Sequence, residues 1–255
     1  MGYCEKTNNS IMKVEYEQVY HALEDDHWWF RGRRDLMLQL LVHTPQDARI
    51  VEIGCSGGPL LAELSAHSFK NLWGVDISEE AIRVCRARGI ENAIVADGAT
   101  TALESGFFDV VISSDVLEHI ADDRAALGEW YRLLRPGGML VLFVPAHMFL
   151  WSPHDVANRH QRRYTRIELE QKVRDAGFVI ERVSYWNMLL FFPIALVRFM
   201  LRMLPATSPQ NSGQLHGTNR VINALLTRLL LLENAYLGSG HNFPFGVSLM
   251  VVARK

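Results

Sequence analysis

From Ala48 to Val144 short apolar runs alternate with amphipathic stretches. ARIVEIG reads as a buried strand and Leu60 to His67 as a helix. Leu72 to Val75 is a second strand, Glu79 to Arg88 a second helix, and Ala93 to Val95 a short third strand. FDVVIS, Phe108 to Ser113, is a fourth strand, apolar almost throughout. Asp122 to Leu134 is a helix stopped by Pro136-Gly137-Gly138, and Met139 to Val144 is a fifth strand. Short apolar strands interleaved with helices predict a parallel sheet covered on both faces, joined by right-handed crossovers. Further on, Ile167 to Ala176 reads as a helix ended by Gly177, and Phe178 to Ser184 and Gly246 to Ala253 as a sixth and a seventh strand.

Two regions break this rhythm. Residues 14 to 43 have a helical pattern and many aromatics, among them Tyr16, Tyr20, Trp28, Trp29 and Phe30, before Pro45 ends the segment. Residues 186 to 245 interrupt the last two strands. They begin with WNMLLFFPIALVRFMLRML, Trp186 to Leu204, close to the length of a bilayer span. Arg198 and Arg202 lie inside it, each costing roughly 2.5–3.5 kcal/mol at a membrane centre, and Pro193 would break or kink a helix there. A buried or interfacial helix is expected, not a spanning one. A loop rich in Pro, Ser, Asn and Gly follows. The next helix, Arg220 to Leu237, carries an apolar stripe through Val221, Leu225, Leu229, Leu232 and Tyr236. The expected organisation is a helical cap over 1–45, a core over 46–185 and 246–255, and a helical insert over 186–245 that caps substrate or faces a membrane.

Composition narrows the function. The 255 residues are 49% hydrophobic and 21% charged, enough for a large core. With 26 Lys+Arg against 28 Asp+Glu, the chain lacks the basic excess of a nucleic-acid binder. The insert holds four arginines and one glutamate, leaving 22 Lys+Arg against 27 Asp+Glu elsewhere. Three scattered cysteines suit a reducing compartment, and the first ten residues have no apolar signal core, so a cytoplasmic protein is expected.

The segment VEIGCSGGPL joins the first strand to the first helix. A glycine turn there lets a ligand approach the backbone, and unpaired N–H groups at the helix start face it. A dinucleotide fingerprint would need glycines where Ser56 and Pro59 stand, which disfavours a nicotinamide oxidoreductase. The segment resembles motif I of the class I S-adenosylmethionine-dependent methyltransferases, with Glu52, Gly54, Ser56 and Gly58 in the acid-then-GxGxG pattern and Cys55 inside it. Ser56 replaces the usual middle glycine. Asp76, 22 residues after Gly54 at the end of the second strand and followed by Ile77, is placed to accept both hydroxyls of a ribose. Asp97-Gly98 matches the family's adenine-contacting position. FDVVISSDVLEHI resembles the segment beside the methionine moiety, with Ser113, Ser114 and Asp115 at the cofactor's edge, and LRPGGMLVLFVPA resembles the family's next helix-turn-strand. The resemblance covers residues 48 to 146. It implies a Rossmann-like α/β fold with a seven-stranded, mostly parallel sheet in the order 3-2-1-4-5-7-6, with S-adenosylmethionine as cofactor and S-adenosylhomocysteine as product.

DHWWFRGRRDLM resembles the N-terminal cap of bacterial methyltransferases of sugar-polymer and lipid-linked pathways. There Trp28 and Phe30 would shield the sulfonium, and Arg31, Arg33 or Arg34 would pair with the methionine carboxylate. Removal of a proton from a hydroxyl acceptor needs a base, and candidates cluster in AHMFLWSPHDVANRHQRRY: His147, His154, Asp155 and His160. His154 is the first choice, with Asp155 orienting an imidazole and Arg162, Arg163 and Tyr164 contacting an anionic or sugar acceptor. The run Asp115-x-x-Glu118-His119 resembles a metal pattern of some RNA and quinone-precursor methyltransferases; the same letters occur in members without metal, and none is expected here. The expected partner is a small-molecule or lipid-linked acceptor, with peripheral membrane contact through the insert. A non-catalytic, cofactor-binding scaffold is the alternative, favoured by Ser56.

Overall fold

In the computed structural model residues 23–203 and 218–255 are described. Tyr16, Tyr20, Cys4 and the loop after Leu204 lie outside them. The described residues form a single sheet of seven strands in the order β3-β2-β1-β4-β5-β7-β6, as expected. Its central strands are β1 (Arg49–Ile53), β4 (Phe108–Ser114) and β5 (Leu134–Pro145), flanked by β2 (Asn71–Asp76) and β3 (Asn92–Val95). These five run parallel. β7 (Ser248–Arg254) is antiparallel to both β5 and β6 (Val179–Trp186). Ile50, Val51 and Ile53 of β1 are all inaccessible, as a strand covered on both faces requires.

The covering helices are capped as their sequences dictate. Ser78 accepts from the Ala81 amide at the start of α3 (Glu79–Ala87), and Asp122 from Ala125 at the start of α4 (Asp123–Leu133). Pro59 opens α2 (Pro59–Ala66) at the position where its missing N–H costs nothing. After β5 come the short α5 (Pro153–Ala157) and then α6 (Arg166–Asp175).

The cap and the insert pack on each other. α1 (Trp28–Leu40) presents Gly32, Arg33, Leu36 and Met37 inward, a buried stripe at helical spacing. It lies against α8 (Arg220–Gly238). The junction is polar: Asn234 of α8 donates to the Gly32 carbonyl at 2.7 Å and to Asp35 at 2.8 Å. Its oxygen accepts from Trp186 Nε1 at 2.8 Å. Glu233 is also buried and accepts from the amides of Met188 and Leu189, fixing the chain where it leaves β6.

Three local expectations change. β5 begins at Leu134, which pairs with Phe108, and the Pro-Gly-Gly segment is a bulge inside the strand rather than a stop before it. Pro193 is the third residue of α7 (Phe191–Met203), where the ring clashes with no preceding carbonyl of the helix, so it neither breaks nor kinks it. The stripe of α8 faces outward: Val221, Leu225, Leu232 and Tyr236 are exposed, while Thr227, Leu230, Glu233, Asn234 and Leu237 are buried. Asn234 bonds to α1 and β6 and Glu233 to the segment after β6, while Thr227 bonds back to Asn223 of its own helix, so at two of these positions hydrogen bonding overrode the apolar pattern.

Asn234→Ala strands the buried Trp186 N–H, at about 1–3 kcal/mol, and also removes the bonds to Gly32 and Asp35 of α1. Chemical denaturation should show a loss of at least about 2 kcal/mol, against under about 0.5 kcal/mol for the exposed Leu225→Ala. Equal effects of the two would contradict this packing.

Candidate functional site

The turn after β1 crosses the left-handed region three times, at Gly54 (φ 75°), Ser56 (φ 49°) and Gly58 (φ 77°). A Cβ on Gly54 would lie 2.2 Å from Val116 Cγ2, and one on Gly58 2.5 Å from Cys85 Sγ. Both glycines are therefore required by space as well as by φ. Gly54 and Cys55 donate to the Val75 carbonyl at 2.7 and 3.0 Å, tying the turn to the end of β2. There Asp76 accepts from the Ser56 amide and the Ser78 amide, both at 2.9 Å. Asp76 thus shapes the glycine turn while sitting at the crevice beyond the strand ends. Glu52 is buried below it, and burial pushes its carboxyl well above the usual range.

Ser56, the departure from the glycine pattern, uses its side chain. Its hydroxyl donates to Glu24 Oε1. Arg34 binds the Glu24 carbonyl at 2.5 Å and the Glu63 carboxylate at 2.7 Å. The cap is latched to the turn through these groups. Sequence reasoning missed Glu24, because nothing local marks a residue whose partner is 32 positions away.

The register places Ile53 beside Ser113, so Gly54 and Ser114 are neighbours at the rim. Ser114 donates to Asp115, whose φ is 55°. Asp115 pairs with Arg33 at 3.2 Å. The Arg33 guanidinium is itself buried between the rings of Phe143 and Trp186, 4.2 and 4.1 Å from their centroids, and donates to Ser248. Arg31, the first-named partner for a carboxylate, is exposed; Arg33 is the cap arginine at the rim. Its membership in the Gly32-Arg33-Leu36-Met37 stripe is what separates it from the other two candidates, Arg31 and Arg34. Asp97 accepts from Ala99 in a tight turn, and Gly98 offers its carbonyl to Trp130 at 2.8 Å. Ile77 is exposed next to Asp76.

A cavity of about 290 Å³ opens beside Asp115. Trp28, Trp29 and Phe30 form one wall, and Ile194 and Arg198 of α7 close another. His119, His154 and His160 line it too. Behind them Asp155 is fully buried and accepts from Ser152, from His160 Nδ1 at 2.9 Å and from Arg163 at 2.7 Å, with Arg198 at 3.6 Å. Burial opposes its charge, but the His160 bond and the charges of Arg163 and Arg198 outweigh it and hold the carboxyl far below the usual range. The imidazole that Asp155 orients is thus His160. His154 instead meets the Asn158 amide at 3.1 Å. Glu118 lies 3.8 Å from His160 Nε2, inaccessible to solvent, and burial raises its carboxyl well above the usual range, with the Asp115 charge adding to it. Tyr164 is not brought to the cavity: its buried hydroxyl donates to Asp123 at 3.0 Å, and burial pushes the phenol up. Arg162 pairs with the same Asp123, and His147 stacks on Tyr185.

The site residues therefore form two groups that meet at Asp115: the glycine turn with Asp76, and the aromatic and histidine cavity. Residues 51–142 match the methyltransferase domain family. A Mycolicibacterium smegmatis protein named "Probable S-adenosylmethionine-dependent methyltransferase" is 28% identical over 71% of this chain and 71% of its own length. A ubiquinone biosynthesis O-methyltransferase of Xanthomonas oryzae pv. oryzae is 35% identical over 37% of this chain, a match spanning 42% of that enzyme. The chain thus spans less than half the length of that quinone-pathway relative. The crystal structure of an S-adenosylmethionine-dependent methyltransferase from Archaeoglobus fulgidus superposes with a TM-score of 0.57 at 18% identity, covering 92% of this chain and 99% of the other. Strand order, glycine turn and matched domain agree: residues 51–142 are similar to the methyltransferase domain family, and the chain has the fold of the S-adenosylmethionine-dependent methyltransferases.

Proposed function

We propose that the protein methylates a hydroxyl of a small acceptor held in the cavity beside Asp115. The observation that carries this reading is the junction of the two groups at the β1/β4 rim, where a donor crevice and an aromatic-walled cavity share one residue. S-adenosylmethionine supplies an electrophilic methyl group, and S-adenosylhomocysteine is left when the carbon–sulfur bond breaks with its electron pair on sulfur. The residues of the chain bind and orient. Asp76 takes the ribose hydroxyls from the crevice beyond the strand end, while it also accepts from the Ser56 and Ser78 amides. Asp97, Gly98 and Ile77 flank the adenine, and Glu52, Cys55, Ser56 and Gly58 shape the turn. Trp28 and Phe30 exclude water and turn π faces toward a cation, with Ser114 and Asp115 at the methionine end. Ser56 holds a left-handed φ without glycine, which supports a working cofactor turn and the catalytic reading over the scaffold.

The acceptor oxygen attacks along the carbon–sulfur axis while its proton passes to a base. His154 is that base. His160 has both ring nitrogens turned to carboxylates, Asp155 and Glu118, whereas His154 lines the cavity beside a neutral amide.

A second observation favours an amphipathic, lipid-linked acceptor. Among the described residues no helix is long and apolar enough to cross a membrane. Yet α7 lines the cavity with Ile194 and Arg198 and exposes Phe192, Leu196, Val197, Phe199 and Met200 on its other faces. The outer face of α8 adds Val221, Ile222, Leu225 and Leu232, with Arg220 and Arg228 and no carboxylate. Such a surface suits the interface of an anionic bilayer, and it borders the acceptor cavity.

Asp76→Ala should weaken S-adenosylmethionine binding by roughly 10- to 150-fold in calorimetric titration, since hydrogen bonds to a charged group contribute about 1.5–3 kcal/mol. An unchanged affinity in the folded variant removes the ribose assignment. His154→Ala should keep cofactor affinity and lower turnover by about 10²–10⁴. It should also abolish the rise in rate with pH across the imidazole range, around pH 6–7; a retained rise sinks the base assignment. Vesicles containing phosphatidylglycerol should retain the protein, and Leu225→Glu with Leu196→Glu should release it. Failure of the parent chain to sediment with them contradicts the membrane reading.

A further inference from the structure

The charges along the cavity beside Asp115 are unequal in sign. Among the described residues that line it, Asp115 is the one carboxylate, and Arg33 pairs with it at 3.2 Å. Arg163 and Arg198 line the same cavity, together with four histidines. Both guanidinium groups face a single carboxylate, that of Asp155. Its Oδ2 accepts from the Ser152 amide at 2.8 Å and the Ser152 hydroxyl at 3.0 Å, and its Oδ1 from His160 Nδ1 at 2.9 Å and Arg163 Nε at 2.7 Å. These bonds fill the lone-pair positions of a carboxylate. Arg198 accordingly stands 3.6 Å from Oδ2, beyond hydrogen-bond reach, and is aimed by the Leu150 carbonyl, to which it donates at 2.7 Å. Glu118 adds no second counter-charge, because neither of its oxygens has a donor and burial favours its neutral form.

We propose that the acceptor carries an anionic oxygen group, a phosphate or a carboxylate, and that Arg163 and Arg198 read it. Calling this molecule the acceptor rests on the methyl-transfer reading; the anion site itself does not. Guanidinium groups match such oxygens in pairs of parallel hydrogen bonds. They offer donors and no acceptor, so a neutral sugar, whose hydroxyls need both, is served less well. Trp28, Phe30 and Ile194 supply apolar walls, and a cleft of one charge sign between such walls concentrates its field. Of the sequence candidates for this role, Arg162 and Tyr164 are engaged with Asp123, which leaves Arg163. Arg198 joins it from the insert. It is one of two charged residues in α7 and lies one turn beyond Ile194, so both reach the cavity from one helix face. The insert then has a chemical task besides its outer surface: it brings the second arginine to the acceptor. His154 lines the same cavity of about 290 Å³, which places the reacting hydroxyl and the anionic group within one small head group. A lipid head group and a water-soluble phosphate or carboxylate share this chemistry.

The test titrates the full chain by calorimetry with hexyl phosphate, hexanoate, inorganic phosphate and the neutral hexyl glucoside. At least one anion should bind once per chain, about tenfold or more tighter than the glucoside. Hexyl phosphate binding tighter than inorganic phosphate marks a lipid-like acceptor, equal binding of the two a water-soluble one, and tightest binding of hexanoate a carboxylate. Arg198→Gln should weaken the best anion about tenfold or more, and Arg198→Lys should restore part of that loss. Arg124→Gln, at an exposed position on α4, should leave it unchanged. The proposal is overturned if no anion binds saturably, or if the glucoside binds as tightly as the best anion. It is equally overturned if Arg198→Gln keeps the parent's thermal unfolding and its anion affinity. S-adenosylmethionine is titrated into the same protein. Cofactor binding without anion selectivity removes the anion site alone, and anion selectivity without cofactor binding removes the methyl-transfer reading alone.

Discussion

One guanidinium, removed from water, joins the parts of this protein. Arg33 of α1 lies between Phe143 of β5 and Trp186 of β6, bonds to Ser248 of β7 and pairs with Asp115 at the end of β4. A buried arginine of this kind needs both a counter-charge and flat apolar faces, because guanidinium is weakly hydrated above its plane and strongly so at its edge. The arrangement satisfies both. It makes the position of the cap depend on the rim of the sheet, and Asp115 depend on the cap.

The same logic organises the wall opposite. Asp155 is an anion with no solvent contact, and it remains charged because His160, Arg163 and Arg198 surround it. Those partners come from the segment after β5 and from α7 of the insert. The insert is therefore fixed to the core by charge at Arg198 and by hydrogen bonds at Glu233 and Asn234, while many apolar side chains of α7 and of the outer face of α8 remain outside. This inverts the usual division of a surface helix, and the cost of exposing that much apolar area is what motivates the proposed amphipathic partner.

The proposed cofactor crevice and the proposed acceptor cavity are built from different sequence material. The crevice comes from strand ends, whose geometry follows from the parallel sheet and a strained turn. The cavity comes from the cap, the segment after β5 and the insert, and its chemistry follows from buried charges held in pairs. Changes in acceptor preference can therefore accumulate around the cavity without disturbing the glycine turn, which is a physical basis for one fold serving many acceptors.

The local pattern was sufficient for the core. Continuous apolar strands, Gly54 and Gly58 at positions of positive φ, and an acid ending β2 are legible because each is a short-range requirement of a parallel sheet with a ligand at its rim. Tertiary structure decided the rest. That Asp155 holds His160 and not the adjacent His154, that Arg33 and not Arg31 enters the core, that Ser56 reaches Glu24, and that the stripe of α8 looks outward all depend on partners far away in the chain. A hydrophobic period marks which face of a helix can be buried; only the competing hydrogen bonds and charges brought there by the fold determine which face is.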